Sequence, residues 1–351
     1  MQRYAVTLTT RSPVAISRSR ATGNQIETLG HIPGTVWRGA LAAQLGAAHP
    51  EFAAIFLSGR VRFGDLRLDD AVPWPLSARR CAVHPGHRML DLLLVDDPPI
   101  ECAECEAKLV MPGNLRLGSG ARKTVRRVTT HTAISNYTLR IRPEQFFSTE
   151  VLERDQKFQG VLTASDALVA QTLLGKRELW IGRGATRGQG MAELNIQNLQ
   201  PPVPNLNWVL RQQQRQPDVL SFTATLLSPC IVYDRYLLAR AYITAEDIAE
   251  AAGEPGALRR YELAPRWFSR LATISGWNAQ ASLPKSDITA ISPGSAFLFQ
   301  TTVSEREIQD ERARLADILE RASAGLGERW AEGFGEVSFQ DNFHWEFRHA
   351  R

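Results

Sequence analysis

No stretch of this chain is apolar for long enough to span a bilayer, and its opening residues, Met1-Gln2-Arg3-Tyr4, pass straight into a strand pattern with no hydrophobic leader. Neither a membrane helix nor a signal segment is expected, and the predicted compartment is the cytoplasm. Cysteine is scarce: four in 351 residues, three of them between positions 81 and 105. That clustering points to metal ligands in a reducing compartment rather than to disulfides. Gly-Lys-Ser and Gly-Lys-Thr are absent, which removes the phosphate loop of the nucleotide hydrolases. No spacing of Ser, His and Asp supports a nucleophile with its base, so an unrelated metabolic enzyme finds no footing. A net charge of only +4 beside a pI near 9.0 means that any basic surplus acts locally.

What the chain does have is glycine in two matching clusters. The first is Gly182-Arg183-Gly184-Ala185-Thr186-Arg187-Gly188-Gln189-Gly190; the second runs from Gly325-Leu326-Gly327 through Arg329 to Gly333-Phe334-Gly335. Both read Gly-x-Gly, a short spacer with a basic residue, Gly-x-Gly, and then a strand (Met191 to Leu199; Glu336 to Phe339). Paired glycines let the backbone approach a ligand and turn its N–H groups on an anion, and Arg183, Arg187 and Arg329 would add charge for phosphate. A dinucleotide fingerprint would need a third glycine where Arg187 and Trp330 stand, and a strand-loop-helix order. The order expected here is helix, loop, strand.

The length predicts two domains, and 44% hydrophobic residues give each half enough for a core. Tyr4 to Thr10 alternates as a half-buried strand. A helix follows Ile32-Pro33-Gly34, with Thr35 as its cap, Trp37, Leu41 and Leu45 on one stripe, and Gly46 as its stop. Arg38 in its first turn would suit a phosphate at the helix N-terminus. Val61 to Leu68 and Phe158 to Leu162 read as strands, and 69–157 as an insertion between them. Asp166 to Leu174 reads as a helix leading to the first glycine loop. The Pro-, Asn- and Gln-rich stretch 201–217 is a linker. The second half repeats the plan: a strand over Leu220 to Val232 with Ser228-Pro229 matching Ser12-Pro13, a strand over Gly294 to Val303, and a Ser304-to-Glu307 capping box before a helix to about Ala324. Both halves thus read as the split βαβ, ferredoxin-like order, in an α+β chain.

Inside the insertion, Cys81-x-x-His84 and Cys102-x-x-Cys105 are ligand pairs separated as in zinc ribbons. Such a site is closed and structural. His87 rivals His84, and the spacing does not choose between them.

The Ile32-to-Leu41 motif, the two glycine loops, the Cys81-to-Cys105 segment, His131-Thr132-Ala133-Ile134 and Trp277-Asn278 with Leu283-Pro284-Lys285 together resemble the RAMP superfamily of CRISPR proteins. In order and spacing they resemble the double-RAMP subunit of type III-D effector complexes, which is similar to the crRNA 5′-handle binder of other type III complexes. The resemblance implies two tandem ferredoxin-like (RRM-like) domains, 1–200 and 218–351, with a zinc-ribbon-like insertion in the first. It also implies a non-catalytic subunit that holds the 5′ tag of a guide RNA, meets target RNA only indirectly, and docks to the large polymerase-like subunit and to backbone subunits.

The residues support RNA as partner. Arg122, Lys123, Arg126 and Arg127 place four cations within six residues, and beside two glycine loops such a cluster reads as a phosphate patch. His131, Tyr137 and Phe146-Phe147 could stack unpaired bases. Expected RNA contacts are therefore Arg38, these four cations, His131, Gly182, Arg183, Gly184, Arg187, Gly188 and Gly190, with Arg329, Gly333 and Gly335 from the second loop. Two enzymatic alternatives stand beside this. A guide-processing ribonuclease would use His31 or His131 as its base. A target-cleaving subunit would use an Asp in the loop before Ile32, where only Glu27 occurs, or Asp234 in the comparable loop of the second half.

Overall fold

The computed structural model describes residues 2–18, 24–69, 71–95, 97–113, 115–116, 124–134, 137, 141–165, 171–199, 219–278, 281 and 283–346. The expected linker 201–217, most of the helix expected at Asp166 to Leu174, and Arg122 and Lys123 lie outside the described residues.

In chain order the first half holds β1 (Gln2–Thr10), α1 (Gly34–Leu45), α2 (Phe52–Phe56) and β2 (Val61–Phe63). Within the insertion come β3 (Ala78–Cys81), β4 (Leu90–Asp91), β5 (Leu109–Val110), β6 (Arg126–Ile134) and β7 (Ile141–Leu152). Then follow β8 (Lys157–Ala164), β9 (Gly175–Trp180) and β10 (Met191–Asn198). The second half has β11 (Val219–Leu226), α3 (Ala245–Ala251), β12 (Glu262–Leu263), β13 (Leu271–Ile274), β14 (Trp277–Asn278), β15 (Leu283–Pro284), β16 (Ile288–Ile291), β17 (Ala296–Thr302), α4 (Ile308–Ala322), β18 (Val337–Phe339) and α5 (Asn342–Glu346).

The chain is a mixed α/β protein, mostly strand. The first main sheet runs β9-β10-β1-β8-β2 and the second β12-β17-β11-β18, every neighbouring pair antiparallel. With β9 set aside, both sheets place their strands in one order: fourth, first, third, second. The repeat legible in the sequence is a repeat of topology.

Each half closes over its own core. In β1 the inward positions Tyr4, Val6, Leu8 and Thr10 alternate with half-buried ones, as a strand with one face on the core requires. Tyr4, Val6 and Leu8 share a core with Trp37, Leu41, Phe63 and Phe158, and the second core gathers Phe222, Phe297, Phe299, Leu315 and Leu319. Strand β11 is buried almost throughout because both its faces are covered. Helices lie on one side; on the other, His344 Nε2 meets Thr225 Oγ1 at 2.7 Å.

Several local expectations change. Helix α1 starts two residues early, at Gly34, and its cap comes from far away: the Asp65 carboxylate accepts the Gly34 N–H at 3.0 Å, and Thr35 provides none. Val61 to Leu68 breaks into β2 and the pair Arg67–Leu68, since Gly64 lies against the carbonyl of Val161. Ser304 and Glu307 bond each other at 3.1 Å, so α4 begins after them without a side-chain cap. The capping box is found instead at Thr244 and Asp247, opening α3. Strand β9 separates the region of the expected first helix from the first glycine loop, so that loop closes a β-hairpin; only the second has the helix-loop-strand order.

The insertion is ordered in two pieces. β4-β3-β5 form a small antiparallel sheet around the cysteines, and β6 and β7 form a long hairpin beside Gln25–Ile26. The second half carries a hairpin in the same connection, between its second and third sheet strands: β13 with β16, continued by β14 with β15.

Candidate nucleic-acid interface and metal centre

The two glycine loops are built on one backbone plan. In the first, the Met191 N–H donates to Ser12 Oγ (2.9 Å), Gly190 N to Pro13 O (2.9 Å), Arg183 N to Ala15 O (2.9 Å) and Ile181 N to Gly190 O (2.8 Å). In the second, Glu336 N donates to Ser228 Oγ (2.8 Å), Gly335 N to Pro229 O (2.8 Å), Glu328 N to Ile231 O (2.8 Å) and Leu326 N to Gly335 O (2.9 Å). Ser12-Pro13 and Ser228-Pro229 are thus the braces of their loops. Gly190 and Gly335 face carbonyls too closely for any Cβ. The matching register is Gly182 with Gly327, Gly184 with Arg329, Gly188 with Gly333 and Gly190 with Gly335; the first glycine pair is thus shifted two residues from the pairing of the sequence motifs, and the second keeps it. Each loop centres on a 3-10 turn, Ala185–Arg187 or Trp330–Glu332.

Their surroundings differ. In the first loop Arg183, Arg187 and Gly188 are exposed, and nothing lies within 4 Å of a Cβ placed on Gly188. The second is shut into the junction between the halves. Gly333 and Gly335 are buried, and a Cβ on Gly333 would stand 2.6 Å from the Phe63 carbonyl. Arg329 forks onto Glu332 at 3.1 and 2.6 Å and lies over Phe334. Arg38 is likewise engaged, donating to the Phe56 carbonyl from above the Phe56 ring. Arg329, Gly333 and Gly335, expected at RNA, are packed into the joint, and Arg38 is engaged by α2. The reason is that a glycine loop is as useful for close backbone packing as for an anion.

That joint also holds a charge network that sequence reasoning missed. Arg67 donates to Glu336 at 3.0 Å, to the Leu227 carbonyl at 2.8 Å and to Asp65 at 3.3 Å. Burial pushes the Glu336 carboxyl up, but Arg67 and then Arg62 outweigh it and hold it below the usual carboxylate range. His31 stands 3.7 Å from Asp65, and burial pulls its pKa below the ordinary imidazole value despite that carboxylate. No motif marks these residues; they meet only through the fold.

On the β6–β7 hairpin, His131 stacks on Phe147 with centroids 5.0 Å apart, and Val128 and Phe146 are exposed. Arg126 pairs with Glu150 at 3.4 Å and Arg127 with Glu153 at 2.8 Å, so the cation cluster is partly neutralised by its partner strand. Tyr137, beyond the end of β6, is exposed, as is Trp277 on the second hairpin. Asp234 Oδ1 accepts the N–H groups of Tyr236 (2.8 Å) and Leu238 (2.9 Å), the work of a turn-forming aspartate.

The fold brings the three expected cysteines together, and it is His87, not His84, that joins them. Ligand atoms of Cys81, His87, Cys102 and Cys105 all lie within 4.8 Å of one another. Cys81 and Cys105 sulfurs are 3.5 Å apart, and His87 Nδ1 is 3.4 Å from Cys102 Sγ. A tetrahedral ion with bonds of about 2.3 Å to sulfur separates its ligands by roughly 3.8 Å, so three sulfurs and one imidazole fit. His84 is exposed and offers its backbone instead: its N–H donates to Cys81 Sγ at 3.3 Å, helping to bring that thiol down to about 7. Pro85-Gly86 then carry the chain to His87.

No family model matches the chain, and no curated protein matches it. Among solved structures it is similar to a chain of the type III-B Cmr-beta complex bound to cognate target RNA and AMPPnP, at 14% identity and TM-score 0.47, covering 89% of this chain and 92% of that one. It is similar to Cas6 in a product complex at 10% identity and TM-score 0.41, covering 97% and 100%. Cmr4 from Pyrococcus furiosus aligns at 15% identity and TM-score 0.28, covering 57% and 99%. These superpositions are too loose to carry a residue-by-residue reading. Among the described residues, no helix is long and apolar enough to cross a membrane.

Proposed function

We propose that this protein is a non-catalytic RNA-binding subunit of a type III CRISPR effector complex of the type III-D kind, holding the 5′ tag of the guide RNA. In this reading 1–200 and 218–351 are two RAMP domains of ferredoxin-like order joined by 201–217, and 69–157 is a zinc-ribbon-like insertion. The observation that carries it is the open first glycine loop. Its backbone is braced by Ser12, Pro13 and Ala15, and Arg183 just before the 3-10 turn and Arg187 at its end stand in solvent. A rigid loop with two unburied guanidinium groups is suited to phosphate, and the stacked His131–Phe147 pair with exposed Phe146 to unpaired bases. Cys81, His87, Cys102 and Cys105 would hold one structural Zn²⁺, whose chemistry is to tie two chain segments together. Partners are guide RNA, the large polymerase-like subunit and backbone subunits.

Geometry also bears on catalysis. His31 lies 3.7 Å from Asp65 in the joint, His131 is stacked on Phe147, and Asp234 Oδ1 accepts two N–H groups of its own turn. The test is incubation of the purified protein with labelled repeat RNA, with and without Mg²⁺. RNA bearing the repeat-derived 5′ tag should bind more tightly than unrelated RNA of equal length, and stay intact. Metal-free cleavage lost in His31→Ala or His131→Ala, or metal-dependent cleavage of guide-complementary RNA lost in Asp234→Ala, would replace this reading by an enzymatic one.

A further inference from the structure

The small sheet that carries the metal ligands does not hang free from the first half; it is docked on the second. Strand β3 joins the two places. Its last residue, Cys81, is a ligand, and its first, Ala78, pairs with Asp91 of β4. Asp91 accepts from His344 Nδ1 at 2.7 Å, and His344 Nε2 meets Thr225 Oγ1 at 2.7 Å. The chain hydroxyl–imidazole–carboxylate has the spacing of a hydrolase triad, but all three residues are completely buried, so no substrate reaches it. It is a fastener linking the insertion, the C-terminal helix α5 and the central strand β11.

Other contacts surround it. Leu93 packs with Ala264, Ala296 and Leu298 of the second half. The Leu76 N–H donates to the Gly294 carbonyl at 2.7 Å, and Arg266 donates to the carbonyl of Val95. Arg116 reaches Asp341 at 2.6 Å and lies over both Trp74 and Phe343.

We infer that the metal-holding insertion is a strut across the two halves, and that metal occupancy sets how tightly α5 and the end of β11 are held. This rests on the proposed metal centre. Three strands of two to four residues have too few ladder bonds to stay formed alone. On the β5 side the second ligand pair is hung from the same sheet, with the Cys102 N–H donating to Ala107 O at 2.8 Å and Ala82 N to Lys108 O at 3.0 Å. The ion therefore closes one end of a sheet whose other end, about 10 Å away over three residues, carries Asp91. Loosening the first end frees the backbone that aims Asp91 at His344.

The experiment is hydrogen exchange on full-length protein, metal-loaded and after chelation, with metal content measured on each sample. Exchange of peptides covering 341–346 should quicken about tenfold on chelation, while β1 and β10 stay protected. Asp91→Ala should quicken exchange at 341–346 similarly while keeping its metal, which separates the strut from general unfolding. If metal is bound and lost but exchange at 341–346 does not change, the strut is wrong and the metal centre stands. If the protein as purified carries no metal and takes up none, both are wrong.

Discussion

Replacing Arg67 by Met tests the joint most directly. Methionine keeps the packing of the stem and removes the guanidinium, leaving Glu336 and Asp65 without their shared cation. Stranding one member of a buried pair costs about 3–5 kcal/mol. A second bound comes from titration: a stranded carboxyl can escape by taking a proton. From an ordinary value near 4.3, at about 1.36 kcal/mol for each pH unit, that escape costs roughly 3.7 kcal/mol at pH 7 and roughly 1 kcal/mol at pH 5. Glu336 keeps 24% of its side-chain surface and Arg62 stays close, so the lower part of the range applies. Losing the bond to the Leu227 carbonyl adds about 1 kcal/mol at either pH. Urea unfolding should therefore show Arg67→Met weaker by about 3–4 kcal/mol at pH 7 and by about 2 kcal/mol at pH 5. The sign follows from the depressed pKa of Glu336 in the native protein. Its stabilisation is present above the unfolded value and lost as pH falls through the lower folded one, whereas in the variant the deficit shrinks as acid neutralises the stranded group. Glu336→Gln added to Arg67→Met should recover most of the loss at pH 7. An equal penalty at both pH values, or no recovery in the double variant, would refute the assignment of this network as the electrostatic lock of the joint.

Two further outcomes are expected. Metal analysis should give about one zinc per chain, kept by His84→Ala and lost or strongly weakened in His87→Ala; the opposite order would restore His84 as ligand. Arg183→Ala with Arg187→Ala should weaken single-stranded RNA binding and reduce the slope of log affinity against log salt by about 1.4, as two phosphate contacts require. An unchanged slope would show that these arginines do not touch phosphate.

The repeat was legible because backbone needs are written in glycine and proline: Ser12-Pro13 with Gly182 to Gly190, and Ser228-Pro229 with Gly327 to Gly335. Strand β1 and helix α1 were legible from periodicity. Strand β9 was not, because it is an edge strand with Gly175, Lys176, Glu178 and Trp180 exposed, so no run of buried alternation marks it. At the candidate metal centre, the spacing of the ligand pairs left His84 and His87 as rivals. The folded turn spends the His84 amide on Cys81 sulfur and brings the imidazole of His87 round instead, a choice made by backbone hydrogen bonding. The carboxylates Glu150 and Glu153 that neutralise Arg126 and Arg127 lie more than 20 positions away and face them only through β-pairing. Asp65 capping α1 is a tertiary contact of the same kind.

The twin loops show how one backbone device yields both a joint and an open surface. Brace, turn and closing glycine are the same in each, so the difference lies outside them. In the second loop Gly333 meets the Phe63 carbonyl and Gly34, and its one arginine is folded back on Glu332 and Phe334. A Cβ on the matching Gly188 would meet nothing within 4 Å, and Arg183 and Arg187 remain exposed, with Ser17 bonding Arg183 at 3.2 Å. A loop whose arginine is paired and whose glycines are packed inside the chain serves to hold the chain together. The other spends its backbone donors within the chain in the same way but leaves its two arginines exposed, so an outside anion gains there from guanidinium groups on an already ordered loop that need no desolvation of a rival carboxylate. This asymmetry, more than the glycine motif itself, directs the RNA reading to the first loop.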